Sequence, residues 1–299
     1  MGIDARLDGL GGVLGDEREP SLPGHPPQVE THCDSPERTD SGSSNKDQMP
    51  EWVRQFLRGG GHALRVYNRH EITVDPLPDQ PVLFVANHGF GGVFDLNVLA
   101  LFAAVERTGD RRRIIMLTHR MAWALGVGAL LEPFGARQAG RDVALQAFAE
   151  DSHVVVFPGG DVDAFKPWRN RNDIVFGGRC GFADLAREAD VPVVPVVTSG
   201  GGESAIVLGD GARLARFLRL DKAFRLKRLP VTLTAPWGIS VGAAGLLPYM
   251  PLPTKLRTAV LPQVSMVADE GSDAFAERIR VVMQSELDRQ TRHRLPILG

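Results

Sequence analysis

A histidine and an acid follow a strand-like apolar run in the segment from Pro81 to Asp95, PVLFVANHGFGGVFD. The run stops at Asn87-His88, and six residues, three of them glycines, separate His88 from Asp95. A carboxylate that binds one imidazole nitrogen fixes the tautomer and leaves the other nitrogen to take a proton from a hydroxyl. The segment therefore predicts a general base in an enzyme. A helix-capping Asp95 and a histidine satisfied within a loop are the simpler alternatives.

A second glycine-rich turn follows another apolar run, His153-Val-Val-Val, and reads Phe157-Pro158-Gly159-Gly160. Ligands of open α/β sheets bind beyond the carboxyl ends of the strands, so both turns are expected to face one crevice. Free backbone amides at Gly159 and Gly160 are expected to contact an anion or a carbonyl oxygen. The acids that follow do not have the spacing of a calcium-binding loop, and no metal site is predicted.

Arginines precede two predicted helices, where a guanidinium suits a phosphate or carboxylate. Arg179 lies in GGRCGF, and Arg137 and Arg141 lie in FGARQAGR. For each of them a structural salt bridge is an equally good interpretation.

The elements that must position these residues alternate along the chain between apolar strand-like runs and longer helix-like runs. This alternation predicts an α/β fold, a single domain with a mixed, largely parallel central sheet flanked by helices. It begins with a short amphipathic helix that starts near Trp52 and stops at Gly59-Gly60-Gly61, followed by an edge strand at Glu71 to Val74. A helix from Ser272 to about Arg289 completes the domain.

Composition divides the chain into an acidic, disordered tail at residues 1–50 and a folded domain at residues 51–299. The tail has ten acidic and four basic residues, which leaves 30 Lys and Arg against 26 Asp and Glu in the domain. A mildly basic domain suits anionic small molecules or an anionic membrane surface better than duplex nucleic acid. Two distant cysteines, no signal peptide and no spanning segment lead us to expect a cytoplasmic protein.

Taken in order, five segments resemble the motif blocks of the lysophospholipid and glycerolipid acyltransferase superfamily. They are VLFVANHGFGGVFD, FGARQAGR, VVVFPGGDVDAF, GGRCGFADLA and VPVVPVV. HGFGGVFD and FPGG are most similar to the diacylglycerol-acyltransferase-like and bacterial members. The resemblance covers about residues 60 to 265 and implies an acyltransferase domain with the fold described above.

By this resemblance His88 is the catalytic base and Asp95 its partner. The implied substrate-binding residues are Asn87, Gly91, Gly92, Arg137, Phe157, Pro158, Gly159, Gly160 and Arg179, with Arg141 as the alternative to Arg137. The implied reaction moves a fatty acyl group from acyl-CoA or acyl-carrier protein to a hydroxyl of a glycerolipid or other lipid acceptor. It needs no cofactor, and the protein is expected to contact the inner face of the membrane peripherally.

Two departures from the family pattern affect specificity. In the phospholipid branch four residues separate the histidine from the acid, against six here, and an acid stands where this chain has Gly159. We therefore expect a neutral-lipid-like acceptor rather than lysophosphatidate.

Two other functions remain open from the sequence. HGFGG resembles an oxyanion-hole sequence of α/β-hydrolase-type esterases, but Ser199 and Ser204, in TSGGGESA, lack the G-x-S-x-G nucleophile frame. A catalytically inactive, lipid-binding member of the same superfamily is the non-enzymatic alternative. Basic and apolar residues alternate in Arg213–Arg228, which fits a membrane-surface helix or a solvated one. Ala243–Pro253 is a further apolar candidate for membrane contact.

Overall fold

The computed structural model describes residues 49–90, 95–124, 126–209, 231–242 and 249–299. The strands in these ranges are β1 (Glu71–Val74), β2 (Leu83–Ala86), β3 (Ile114–Thr118), β4 (Ala136–Gln138), β5 (His153–Val156), β6 (Val193–Ser199), β7 (Ile206–Gly209), β8 (Val231–Thr234), β9 (Gly238–Val241) and β10 (Arg257–Val260). The α-helices are α1 (Glu51–Tyr67), α2 (Leu96–Thr108), α3 (Arg120–Ala124), α4 (Val127–Leu131), α5 (Arg141–Ala149), α6 (Gly160–Ala164), α7 (Gly181–Ala189) and α8 (Ser272–Thr291). Short 3-10 helices occupy Glu132–Phe134, Trp168–Asn170 and Gly201–Glu203.

Seven strands form one sheet in the order β1-β10-β6-β2-β5-β3-β4. The five strands from β6 to β4 run parallel, while β10 pairs antiparallel with β6 and β1 pairs parallel with β10. The carboxyl ends of β2, β5 and β6 therefore meet at one edge of the sheet. This arrangement confirms the predicted mixed, largely parallel sheet. A separate antiparallel sheet has the order β7-β8-β9.

The central strand β2 is buried on both faces, as its unbroken apolar sequence requires. Leu83 and Val85 pack into a cluster with α5, α7 and α8, and Phe84 and Ala86 pack into a second cluster with α2. Because successive side chains of a strand point to opposite faces, one strand serves both halves of the core. The strand that delivers His88 is thus fixed from two sides.

The helix at the start of the domain was predicted to stop at its three glycines, and this prediction is wrong. Helix α1 continues through them to Tyr67. A β-carbon at Gly60 would lie 3.9 Å from Leu99, and one at Gly61 would lie 3.8 Å from Ala103, both in α2. The absence of side chains allows α1 and α2 to pack closely, and this packing offsets the poor helix propensity of glycine. Strand β4 and the β7-β8-β9 sheet were also not predicted.

The predicted acidic tail at residues 1–50 lies almost wholly outside the described residues, as do Arg213–Arg228 and most of the apolar part of Ala243–Pro253. Within the described ranges, no helix has both the length and the apolar character needed to cross a bilayer.

Candidate active site

His88 and Asp95 form a hydrogen-bonded pair at the carboxyl end of β2. The imidazole Nδ1 lies 2.8 Å from Asp95 Oδ2. The Asp95 side chain is almost fully buried, whereas about a fifth of the His88 side chain remains exposed. Since Nδ1 is engaged by the acid, Nε2 is the ring nitrogen available to a substrate. The wide turn between the two residues does not prevent the predicted contact.

Asp95 also caps helix α2, so the capping role and the contact with His88 belong to the same carboxylate. Its Oδ1 accepts hydrogen bonds from the backbone N–H of Asn97 at 2.8 Å and of Gly89 at 3.2 Å. The residue is the N-cap of α2, so the helix-capping alternative raised from the sequence is also correct. The helix end and two backbone amides fix the position of the carboxylate.

Asn87 binds the turn to β6. Its side-chain amide accepts from Thr198 N–H at 2.9 Å and donates to Thr198 O at 3.0 Å. The Asn97 amide donates to Asn87 O at 2.9 Å and completes a buried polar network. The side-chain amide thus bonds both the N–H and the C=O of Thr198, and it extends the β2-β6 hydrogen-bond ladder by one position. Asn87, predicted to bind substrate, therefore holds the strand end that carries His88.

A chain of hydroxyl groups leads away from this network across the sheet. Thr198 Oγ1 lies 2.9 Å from Thr258 Oγ1, which lies 2.8 Å from His70 Nε2. Burial, followed by the nearby Arg65 charge, lowers the pKa of His70 to about 4. His70 is therefore neutral near neutral pH.

The turn after β5 lies against His88, as predicted. The rings of Phe157 and His88 stack with their centroids 4.5 Å apart and an interplanar angle of 28°. Gly159 allows a close approach, because a β-carbon there would lie 2.2 Å from Asp163 Cβ and from Val175 O. Pro158 and Gly159 are buried within the turn.

The expectation of a free amide at Gly160 is wrong. Gly160 N–H donates to Phe157 O at 3.1 Å, because the FPGG segment closes a turn and leads directly into α6. The N–H groups of His88 and Gly89 are also occupied, by Asp163 at 2.7 Å and by Asp95. These three amides are not available to an oxyanion in this conformation.

A buried ion pair between Asp163 and Lys166, next to the backbone of His88, was not predicted as part of the site. Asp163 Oδ2 accepts the His88 N–H, and its Oδ1 accepts from Lys166 Nζ at 2.8 Å. Both side chains are at most 5% exposed. The sequence signal was an acid and a lysine three residues apart in an otherwise apolar segment. The pair connects α6 to the backbone of the turn that holds His88.

Arg179 contacts the FPGG turn and not the dyad. Its guanidinium donates to Pro158 O at 3.1 Å and to Gly159 O, and it pairs with Asp161 at 2.7 Å. Gly160 has φ of +48°, and a β-carbon there would collide with the same guanidinium. Arg179 therefore supports the turn that stacks on His88.

Arg137 lies away from the other predicted residues. It belongs to β4, three strands from β2, which at about 4.8 Å per strand is roughly 14 Å. Its guanidinium turns back toward Glu132 O and Ala136 O, at 3.1 and 2.8 Å, and away from the carboxyl edge. The alternative, Arg141, is exposed and pairs with Glu188.

Gly91 and Gly92 lie outside the described residues. Neither candidate serine has the surroundings of a nucleophile. Ser204 is buried and shares a 2.8 Å hydrogen bond with Tyr249, whose pKa is raised by burial, and the Ser199 side chain is buried as well. In the part of the chain that the structure describes, no cluster of three or more His, Cys, Asp or Glu side chains is suited to a metal ion.

Residues 63–199 match the family model described as Acyltransferase. Two curated relatives are named "DGAT1/2-independent enzyme synthesizing storage lipids". The one from Bos taurus is 25% identical over 234 residues, with 78% of this chain and 63% of the relative covered. The one from Homo sapiens is 26% identical, with coverages of 78% and 64%.

A third relative is an uncharacterized protein of Mycobacterium tuberculosis, 31% identical over 211 residues, with coverages of 69% and 54%. The chain thus spans less than two thirds of the length of these curated relatives. Among solved structures, it is similar to the 1-acyl-sn-glycerophosphate (LPA) acyltransferase PlsC from Thermotoga maritima. That match has 13% identity, a TM-score of 0.48, and covers 83% of this chain and 87% of the other.

Proposed function

Since residues 63–199 match the Acyltransferase family model, we propose that the protein transfers a fatty acyl group from a thioester to a hydroxyl of a lipid acceptor. The observation that supports this most directly is the 2.8 Å contact between His88 Nδ1 and Asp95 Oδ2, in a histidine whose side chain is about a fifth exposed. Geometry of this kind suits general-base chemistry. It also argues against the inactive lipid-binding alternative, which needs no such contact.

In the proposed reaction, His88 Nε2 removes the proton of the acceptor hydroxyl as its oxygen attacks the thioester carbonyl carbon. The tetrahedral intermediate then collapses, the carbon–sulfur bond breaks, and the thiol leaves with the proton from the imidazolium. Asp95 holds the tautomer and stabilises the positive imidazolium through Nδ1. The products are an ester and a free thiol, and no covalent acyl-enzyme is formed.

The donor is proposed to be acyl-CoA or acyl-carrier protein, with no cofactor. Phe157 stacks on one face of His88, so substrate must approach from another side of the ring. We propose a glycerolipid hydroxyl as acceptor, because two of the curated relatives, from Bos taurus and Homo sapiens, are named as enzymes synthesizing storage lipids. The six-residue separation of the dyad supports a neutral-lipid-like acceptor. The proposed location is the cytoplasmic face of a membrane, in peripheral contact.

Lipid mass spectrometry tests this proposal. The full chain is incubated with isotope-labelled acyl-CoA and a panel of lysophospholipids, monoacylglycerol and diacylglycerol in mixed micelles. We expect labelled ester from at least one acceptor, and its loss in His88→Ala. His293→Ala is the matched control, because His293 is exposed beyond α8. Full activity of His88→Ala contradicts the mechanism.

A fluorophosphonate probe separates acyl transfer from the esterase alternative. A serine hydrolase reacts with the probe, and a histidine–aspartate acyltransferase does not. We expect no labelling, because Ser204 is buried against Tyr249.

A further inference from the structure

Helix α1 has two apolar faces, and only one of them is buried in the core. Val53, Leu57 and Leu64 face the core, with Val53 and Leu64 buried. At 100° per residue, Trp52, Phe56 and Val66 fall within an arc of about 80° on a different side. Their exposed fractions are 54%, 45% and 65%. A helix that needed only to pack on the core would not present large apolar residues on this second face.

The exposed face continues onto a neighbouring segment as an aromatic patch, which we define as Trp52, Phe56 and Phe134. The ring of Phe134 lies edge-on to both α1 aromatics, with centroid distances of 5.5 and 5.3 Å. Exposed tryptophan and phenylalanine grouped in this way are typical of surfaces that meet a membrane interface.

A basic pocket of about 290 Å³ adjoins the patch at the start of α1. It is lined by Met49, Pro50, Arg113, Ala129, Glu132, Pro133, Gly135 and Arg137. The single acid in this lining, Glu132, lies 3.8 Å from Arg137. Burial and then the nearby Arg137 charge lower the pKa of Arg113, and the charge of Glu150 acts in the opposite direction. The residues that line the pocket carry two guanidinium groups and one carboxylate, and this net positive lining suits a phosphate.

The pocket and the dyad lie at opposite ends of the parallel strands. Arg113 directly precedes β3 and Gly135 directly precedes β4, so the pocket is at the amino-terminal ends of parallel strands. The other end of α1 packs near the candidate active site, because Leu64 clusters with Leu96, the residue after Asp95. The 17 residues of α1 span about 25 Å. A phosphate in the pocket therefore belongs to a different molecule from the one at His88.

We propose that the aromatic patch and the basic pocket together form the surface that docks on a bilayer, with the phosphate of an anionic phospholipid in the pocket. This inference rests on the proposed lipid acceptor, since a protein that acts on membrane lipids must meet the membrane. Apolar area supplies contact with the acyl region, and arginines supply attraction to anionic headgroups. A second copy of the chain fits less well, because pairing through this face would bring two positive pockets together.

Vesicle flotation of the full chain tests the proposal, with phosphatidylcholine vesicles and with vesicles that also contain phosphatidylglycerol. We expect the wild type to float with both and to prefer the anionic vesicles. The double substitution Trp52→Ser, Phe56→Ser is expected to lower binding to both kinds by about tenfold or more. The matched control is Val267→Ser, Val281→Ser, which removes two exposed apolar side chains elsewhere and is expected to bind normally.

The pocket has its own variant. Arg113→Gln is expected to remove most of the preference for anionic vesicles while leaving binding to phosphatidylcholine unchanged. Arg292→Gln, at an exposed arginine beyond α8, is the control and should keep the preference. Thermal unfolding of each variant establishes that it is folded.

Flotation requires no turnover, so its result is independent of the acyl-transfer assay. Wild-type flotation that is lost in the aromatic variant supports docking even if no acyl transfer is found. Unchanged flotation of the aromatic variant, or no flotation of the wild type, overturns the proposal. A wild-type dimer in sedimentation experiments that dissociates in the aromatic variant, with no flotation, shows that a second copy occupies the face instead.

Discussion

The two glycine-rich turns at the carboxyl edge of the sheet have similar sequences and different surroundings. The turn after β2 presents His88, whose Nε2 is the ring nitrogen not bound to Asp95. The turn after β5 directs its polar groups inward: Gly160 N–H bonds within the turn, and the carbonyls of Pro158 and Gly159 accept from Arg179. One turn holds the proposed general base, and the other turn supports it.

The difference teaches that an apolar strand followed by glycines predicts the place of a site but not the role of each turn. The second turn reaches the first through a stacked ring, Phe157, and through one carboxylate, Asp163, which accepts the His88 N–H. The roles depend on which backbone groups are already hydrogen-bonded, and this is decided by residues distant in sequence. Variants on the two turns should therefore affect different properties.

Asp95→Asn should have the largest effect and should act on the reaction rather than on the fold. The amide keeps an oxygen for the helix cap but cannot fix the His88 tautomer as a carboxylate does. We expect kcat to fall by about 10³-fold or more, with the free energy of unfolding changed by less than about 1 kcal/mol. Steady-state kinetics and urea denaturation measure the two quantities. A normal kcat in Asp95→Asn would show that the turn after β2 has no special role in the reaction compared with the turn after β5.

Asp163→Ala should affect the fold first. It leaves Lys166 buried without a counter-ion, which typically costs about 3–5 kcal/mol of unfolding free energy. The double variant Asp163→Ala, Lys166→Met should recover most of this loss, because an apolar side chain tolerates the buried site. Both variants lack the acceptor for the His88 N–H, so both should have reduced kcat. Normal kcat in the stable double variant would show that the second turn does not position His88.

His70 provides a third test, on the β6 side of the first turn. Its pKa is lowered to about 4, mainly by burial and then by Arg65, from an ordinary value near 6.5. The unfolded chain therefore binds the proton more tightly, and stability is complete above pH 6.5 and is lost as pH falls toward 4. Between pH 7.5 and 5.0 we expect a loss of about 2 kcal/mol.

Urea denaturation at the two pH values measures this loss. His70→Asn should reduce the pH dependence by that amount, and His293→Asn, at an exposed position, should not. An identical pH dependence of the free energy of unfolding in wild type and His70→Asn would show that the acid sensitivity does not come from His70.

Arg179→Lys should have the smallest effect. Lysine cannot reproduce the fork that contacts two carbonyls and Asp161, and we expect a loss of about 1 kcal/mol of unfolding free energy with little change in kcat. Arg292→Lys, at an exposed arginine beyond α8, is the control. A rise of tenfold or more in KM for the acyl donor, with normal stability, would support the substrate-binding role implied by the family resemblance and would make the second turn more than a support.

The sequence predicted the sheet and the approach of His88 to Asp95, because both depend on local signals. Unbroken apolar runs specify buried parallel strands, and the first such strand leads directly to His88. The positive end of the helix dipole favours a carboxylate at the start of α2, and this position is next to the turn that carries His88. The contact between the FPGG turn and His88 followed from the rule that ligands gather at the carboxyl edge.

Other features depended on contacts between distant residues and could not be predicted. The glycines of α1 remain helical because α2 packs against them, and Gly160 N–H is occupied because its own turn closes. Arg137 turns toward the amino edge to reach two backbone carbonyls. The burial of Lys166 was not predicted, because it depends on Asp163. That acid is held against the His88 N–H only when α6 packs next to the end of β2.

The reversed edge of the sheet has a consequence for the order of folding. Glu71 in β1 pairs with Arg257 in β10, so the two strands that form this edge are separated by most of the domain. Strands β2 to β6 come from one continuous stretch and can assemble while that long loop is still open. Pairings of such high sequence separation are slow to form. We therefore expect the β1 amides to gain protection from hydrogen exchange after those of β2, so that the strand carrying His88 is in place before the edge closes.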